Sequence, residues 1–135
     1  MIACLDSDCV IYLVEQHPTW GGKVAARLAS LRTAGDEIAV TDLSRAECLV
    51  GPLHRQQAAI LADYQAFFRD PGIRVLRLTA AVCEQAARIR AASNLRFKLP
   101  DCIQLAAAIE HGCGLFLTHD AQLASLPTIA VEILT

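Results

Sequence analysis

Positive charge is scarce in this sequence: two lysines, and 12 Lys plus Arg in all against 14 Asp plus Glu, leave a formal net charge of −2 over 135 residues. A protein held to nucleic acid by bulk attraction to phosphate is thereby excluded, and any such contact must be local, through a rim of arginines or a metal ion. The chain also lacks any apolar run near the ~18 residues needed to cross a bilayer, and its start, MIACLDSD, carries acid where a secretory signal carries base. A soluble, cytoplasmic protein is expected. No Cys-x-x-Cys pair occurs among Cys4, Cys9, Cys48, Cys83, Cys102 and Cys113, each of which sits in an apolar run. Buried thiols in a reducing compartment are therefore preferred to a disulfide or zinc framework. There is no internal repeat, linker or low-complexity tract. With 54% hydrophobic and 19% charged residues the chain is not disordered, and at this length one domain can bury a core without staples.

What is present is an alternation of strand-like and helix-like segments, with 23 alanines arguing for much helix. Met1 to Leu5 reads as a strand. Asp6 to Gln16 carries Val10, Ile11, Leu13 and Val14 on one helical face, and His17-Pro18 ends it. Thr19 is placed as the cap of a helix with Val24, Ala25, Leu28 and Leu31 inward, stopping near Gly35; Glu37 to Thr41 is the second strand. Ser44-x-x-Glu47 reads as a capping box, Gly51-Pro52 as an interruption, and a longer helix as running to about Arg69 before Asp70-Pro71-Gly72. Arg74 to Leu78 alternates as a third strand. A helix follows from Thr79 through Ala92, another from Pro100 to His111, then a fourth strand over Leu115 to Thr118, a short helix from Asp120, and a last strand over Ile129 to Leu134. Such alternation predicts an α/β fold, a mostly parallel central sheet with helices on both faces.

Acids stand where strands hand over to helices: Asp6 after the first, Glu47 after the second, Asp120 after the fourth, and Asp101 at a helix start. Two readings are open. Singly, each suits a cap or the positive end of a helix dipole. Together, at the strand ends where such sheets place ligands, they could share one crevice, where crowded carboxylates take up protons unless a cation sits among them. Oxygen-only donors suit Mg²⁺ or Mn²⁺, and the chemistry would be phosphodiester cleavage.

Four segments resemble, in order and spacing, the motifs of the PIN-domain ribonucleases, in particular the VapC toxins of bacterial toxin-antitoxin pairs. They are Leu5-Asp6-Ser7-Asp8-Cys9-Val10-Ile11; Ala46-Glu47-Cys48-Leu49-Val50-Gly51; Leu99-Pro100-Asp101-Cys102-Ile103-Gln104-Leu105, continuing through Glu110-His111-Gly112; and Leu117-Thr118-His119-Asp120. The resemblance covers nearly the whole chain and implies one PIN-like domain over 1–135. It implies that Asp6, Glu47, Asp101 and Asp120 hold Mg²⁺ or Mn²⁺ with Thr118 as supporting hydroxyl, that RNA is the substrate, and that the partners are a cognate antitoxin, seated in an apolar groove, and a second copy of the chain. Asp8 departs from the family, which more often has Asn, Ser or Thr there, and is read as a helix cap or a fifth carboxylate. His119 and Leu123 also depart, replacing residues that are often polar and aromatic.

Other candidates have two readings each. His119 is a solvated loop residue or a substrate contact; Trp20 is a half-buried core aromatic or a partner anchor. Arg88, Arg90, Arg96 and Lys98 are a solvated helix face or an RNA rim near Asp101. Rival functions fare worse. Asp6-x-Asp8 after a hydrophobic strand resembles the nucleophile motif of haloacid dehalogenase-type phosphatases, but only Lys23 and Lys98 are available and no Asp-Asp pair exists. A receiver-like signalling module needs a Lys after a late strand, which Leu117-Thr118-His119-Asp120 does not offer. A PIN-like domain serving only to bind is opposed by the presence of all four acids.

Overall fold

The apolar segment Ile2–Leu5 forms β1, the middle strand of a five-stranded sheet in a computed structural model that describes residues 1–126 and 128–135. In chain order there follow α1 (Ser7–Val14), α2 (Gly21–Thr33), β2 (Glu37–Thr41), α3 (Asp42–His54), α4 (Ala58–Arg69), β3 (Ile73–Leu76), α5 (Ala80–Ala92), α6 (Leu99–Glu110), β4 (Leu115–Thr118), a 3-10 turn (Ala121–Ser125) and β5 (Ala130–Ile133). The strand order is β3-β2-β1-β4-β5, and every neighbouring pair is parallel. Parallel neighbours need crossover connections, which lay helices on both faces and bury the sheet between them. This explains why β1 and β4 read as continuous apolar runs.

Successive strand residues divide between two cores. Ala3, Leu5, Ile38, Val40 and Leu117 face one side, against Val10 of α1, Val24 and Leu28 of α2, Cys48 of α3 and Tyr64 and Phe68 of α4. Cys4, Ala39 and Phe116 face the other, against Val82, Ala86 and Ile89 of α5 and Cys102, Leu105 and Ala106 of α6. The α/β class with helices on both faces is thus observed, with the sheet parallel throughout. No helix among the described residues is long and apolar enough to cross a membrane.

Several local expectations are corrected. Gly51-Pro52 does not interrupt α3, which runs on to His54; Pro52 is buried, and the chain turns only at Gln56, whose φ is +55°. Ser44 and Glu47 form no capping box. The helix begins earlier, and the Thr41 hydroxyl accepts from the Ser44 N–H at 3.1 Å, leaving the Ser44 side chain free to face inward. Thr19 does not cap α2 either; its N–H and that of Trp20 both donate to Nδ1 of His17 at 3.1 Å. Gly21 then lets α2 start against α1, because a Cβ there would stand 2.8 Å from the Tyr12 carbonyl oxygen. The third strand occupies Ile73–Leu76 rather than Arg74 to Leu78. Cys83 is exposed, while the other five cysteines are buried and all six are free thiols.

Candidate active site

From β1 the chain builds β2 and β3 on one side, then returns to build β4 and β5 on the other, so the order reverses between β1 and β4. The crevice outside the carboxyl ends at such a reversal is where open α/β sheets place ligands. Asp6 and Thr118 meet there. The Asp6 N–H continues the ladder to Leu117 O at 2.9 Å, and the Thr118 hydroxyl donates to Asp6 Oδ2 at 2.7 Å. The other oxygen, Oδ1, accepts from Ser7 N–H at 2.8 Å and so caps α1, while Thr118 Oγ1 accepts from the Asp120 N–H at 3.1 Å. Asp120 in turn caps the 3-10 turn through Gln122 N–H at 3.0 Å. Capping and crevice are therefore not rivals: Asp6 and Asp120 do the first at the mouth of the second. Asp8 lies exposed in the first turn of α1 and does not cap it.

Glu47 reaches the same edge by a different route. Gln104, 1% exposed, sits within the apolar run of α6, three residues after Asp101 and so on the same helix face. Its Oε1 accepts from Thr41 Oγ1 at 2.6 Å, and the two N–H of its Nε2 are shared among Ser7 Oγ at 2.9 Å, Ser44 Oγ at 2.8 Å and Glu47 Oε1 at 3.2 Å. Ser7 Oγ donates to Glu47 Oε1 at 2.8 Å. With Ser44 Oγ donating to Ser7 Oγ, also 2.8 Å away, each of these buried groups has a partner. This polar floor was missed by sequence reasoning, although a lone Gln between Cys102 and Ala108 in a buried helix is a readable signal of buried hydrogen bonding.

The electrostatics follow from burial and like charge. Asp6 is pushed up to about 6, chiefly by burial, with Asp8 and Asp101 adding to the rise and the Thr118 and Ser7 bonds opposing it. Asp101 is raised as well, first by burial, then by Asp120 and Glu47, against a lowering by Lys98. Asp101 and Asp120 line one cavity of about 240 Å³ together with Arg96 and Lys98. None of the ion pairs among the described residues involves Asp6, Glu47, Asp101 or Asp120. Nor do any three acid, His or Cys side chains among the described residues stand close enough to hold a metal ion unaided. The donors fit an oxygen-seeking cation that keeps much of its water and is held by one or two carboxylates plus substrate phosphate, as Mg²⁺ is, better than one needing a protein cage.

Beside the acids, Trp20 is the expected half-buried aromatic packed on the core, while His119 and the basic group differ from expectation. His119 is not merely solvated: its Nδ1 is 2.9 Å from the Tyr12 hydroxyl, and its ring lies 4.2 Å from that of Trp20. Trp20 stacks on Tyr12 with ring centroids 6.3 Å apart and is half-buried. Of the four cations placed near Asp101, Arg90 instead holds the carbonyls of Leu95 and Phe97, and Arg88 lies farther along α5.

The PIN domain family matches residues 3–128, and the chain belongs to it, the nuclease family its four motifs resemble. No curated protein matches the chain by sequence. Among solved structures, the chain is similar to VapBC2 from Rickettsia felis bound to a promoter DNA fragment (16% identity, all of both chains covered, TM-score 0.83). It is also similar to VapC20 of Mycobacterium tuberculosis, a sarcin-ricin loop cleaving toxin (16% identity, 96% of this chain and 98% of that one, TM-score 0.78). A third is FitAcB from Neisseria gonorrhoeae (20% identity, 97% and 96% covered, TM-score 0.75). At these identities they show a shared fold. The family match removes the phosphatase and receiver readings.

Proposed function

We propose that this protein is a cytoplasmic, Mg²⁺- or Mn²⁺-dependent endoribonuclease, the toxin of a toxin-antitoxin pair. The observation that carries the reading is a set of carboxylates without cationic partners gathered at the reversal point of the sheet, with Asp6 buried among them. Of Asp6, Glu47, Asp101 and Asp120, one or two would hold the metal directly and the others through its bound water; when bound it supplies a Lewis acid and an activated water. Thr118 positions Asp6 by its hydrogen bond and, through the Asp120 N–H, ties the β4 end to the same point. Ser7 and Gln104 hold Glu47 facing the edge. Arg96 and Lys98 offset phosphate charge that the acids would otherwise repel. VapC20 is described as cleaving the sarcin-ricin loop, which supports RNA as the substrate class here. The test is incubation of purified protein with RNA, with and without Mg²⁺, beside Asp101→Asn. Cleavage by the wild type alone, and only with metal, is expected; wild-type cleavage by folded Asp101→Asn would defeat the assignment.

The same reading calls for restraint by a partner. VapBC and FitAB complexes among the similar structures support a cognate antitoxin, and exposed Val50 and Leu53 on α3, next to a hollow lined by Pro52, Ala58 and Leu61, offer it apolar surface. A cationic side chain of that partner entering the acids would offset the charge that metal offsets. Mg²⁺ and antitoxin should then weaken each other's binding by one common factor. Titrating antitoxin at low and high Mg²⁺ and fixed ionic strength measures it; an affinity indifferent to Mg²⁺ with full inhibition would mean the partner blocks RNA from outside the acids. A homodimer is also expected, and sedimentation of the isolated protein tests it.

A further inference from the structure

Beyond the acids, a second cavity of about 360 Å³ opens between α5 and the loops around it. It adjoins the acidic crevice, with Arg96 and Phe97 lining both. Its floor includes Ile89 and Phe97, while Gln85, Ser93 and Ser125 bring neutral amide and hydroxyl groups to its walls. Two guanidinium groups stand over it. Arg96 lies 5.2 Å above the Phe97 ring and donates to Ser125 Oγ at 3.4 Å. Arg88 has only a long contact to Glu84, 3.9 Å, with both side chains about two-thirds exposed, so its charge is available to a ligand.

The loop that carries Arg96 is held in place. Asn94 and Leu95 have φ of +56° and +63°, a conformation costly for non-glycine residues. It is kept by Arg90, which donates to the carbonyls of Leu95 and Phe97, and by Ser93 Oγ, which accepts from Phe97 N–H at 3.2 Å. A cation on a fixed loop loses little freedom when it meets a phosphate.

These features suit an unpaired nucleotide. Cations beside an apolar floor with hydrogen-bonding groups match a ribonucleotide's phosphate, base face and base edge. Position supplies the rest: Arg96, shared by both cavities, would meet the backbone where it leaves the acids, and Arg88 the next phosphate along. We infer that this cavity binds the nucleotide adjoining the scissile phosphate of a single-stranded RNA, with Arg96 and Arg88 on successive phosphates and Gln85 reading the base. The inference rests on the ribonuclease reading and deepens it.

The experiment uses Asp101→Asn to prevent cleavage and measures fluorescence anisotropy of a short (about two-nucleotide) and a longer (about ten-nucleotide) labelled oligouridylate across a salt series. Adding Arg88→Ala should weaken the longer oligomer about fivefold. It should also lower the slope of log affinity against log salt by about 0.7, one single-strand phosphate contact, and leave the short oligomer unchanged. Arg88→Lys should keep the slope. Gln85→Ala should alter the preference among oligouridylate, oligoadenylate and oligocytidylate at constant slope. Unchanged affinity and slope in Arg88→Ala would overturn the inference and leave the cavity to a protein partner, even where the wild type cleaves RNA. Failure of the wild type to cleave any RNA with Mg²⁺ would overturn the ribonuclease reading itself.

Discussion

The two ends of the sheet treat their acids in opposite ways. At the amino end, the Met1 ammonium pairs with Asp36 at 2.9 Å and Arg74 with Glu37 at 3.3 Å, while Glu37 N–H donates to the Met1 carbonyl at 3.0 Å. Charge there is neutralised pair by pair in the water-exposed rim. At the carboxyl end, Asp6 is 7% exposed and joins no ion pair among those found, and its neighbours Asp101 and Asp120 raise rather than relieve the local negative potential. The lesson is that this concentration of negative charge exceeds what capping requires. A fold alone would be served by neutral caps, which hold a helix start nearly as well as Asp does, so the excess points to a ligand of opposite sign.

The largest effect expected from breaking this contrast is on cleavage. Asp6→Asn and Asp101→Asn should each lower metal-dependent RNA cleavage more than about 100-fold, beyond the roughly 10- to 100-fold typical of losing an outer partner of a metal ligand. Asp36→Asn at the opposite end should leave the rate unchanged. Rates from a labelled oligonucleotide decide this, and equal losses at both ends would erase the distinction.

Next comes the floor beneath the acids. Gln104→Leu takes away the acceptor of the buried Thr41 hydroxyl, while Ser7 and Ser44 keep each other and Glu47; an unsatisfied buried group costs about 1–3 kcal/mol, so a loss of about 2 kcal/mol is expected. Urea unfolding should show a lower midpoint at unchanged slope. A midpoint within error of the wild type would show that the floor is not the support of Glu47.

A smaller, oppositely signed effect is expected from pH. The folded pKa of Asp6, about 6, exceeds its unfolded value, so between roughly pH 4 and 6 the folded state binds more protons and stability falls as pH rises. Without metal, acidification from pH 7 to 5 should therefore stabilise by about 1 kcal/mol through this group. Asp6→Asn should flatten that trend, and Mg²⁺ should raise the melting temperature at pH 7. Apo melts that decline steadily from pH 7 to 5 would contradict the crowding argument.

The smallest effect belongs to the neutralised end. Arg74→Ala removes an ion pair whose partners are both more than half exposed, and a change under about 1 kcal/mol with unaltered cleavage is expected. A larger loss would mean that the amino end also carries strain or function.

Much of this was legible from residue order. The helices on both faces, the apolar central strands and the positions of Asp6, Asp101 and Asp120 after strands or at a helix start follow from periodicities and caps, which are local. Where local rules misled, a longer-range contact intervened. The helix starting after Thr41 passed through Gly51-Pro52 because Pro52 is buried, outweighing its missing N–H. Ser44 left the role of cap because Ser7 and Gln104 needed it inside. His119 and Trp20, ninety-nine residues apart in sequence, could not be paired without knowing that the start of α2 stands beside the end of β4.

By itself, then, the sequence determined the α/β class, the family resemblance and the chemical character of the candidate site, because propensity, period and residue chemistry are properties of short segments. Only the tertiary structure decided that the chain reverses its direction of growth between β1 and β4. That reversal brings Asp6 to Thr118 across 112 positions and Glu47 to Gln104 across 57. The physical reason is that strand order is set by which buried faces pack together across the sheet, and such pairings between distant segments leave no periodic trace in either one.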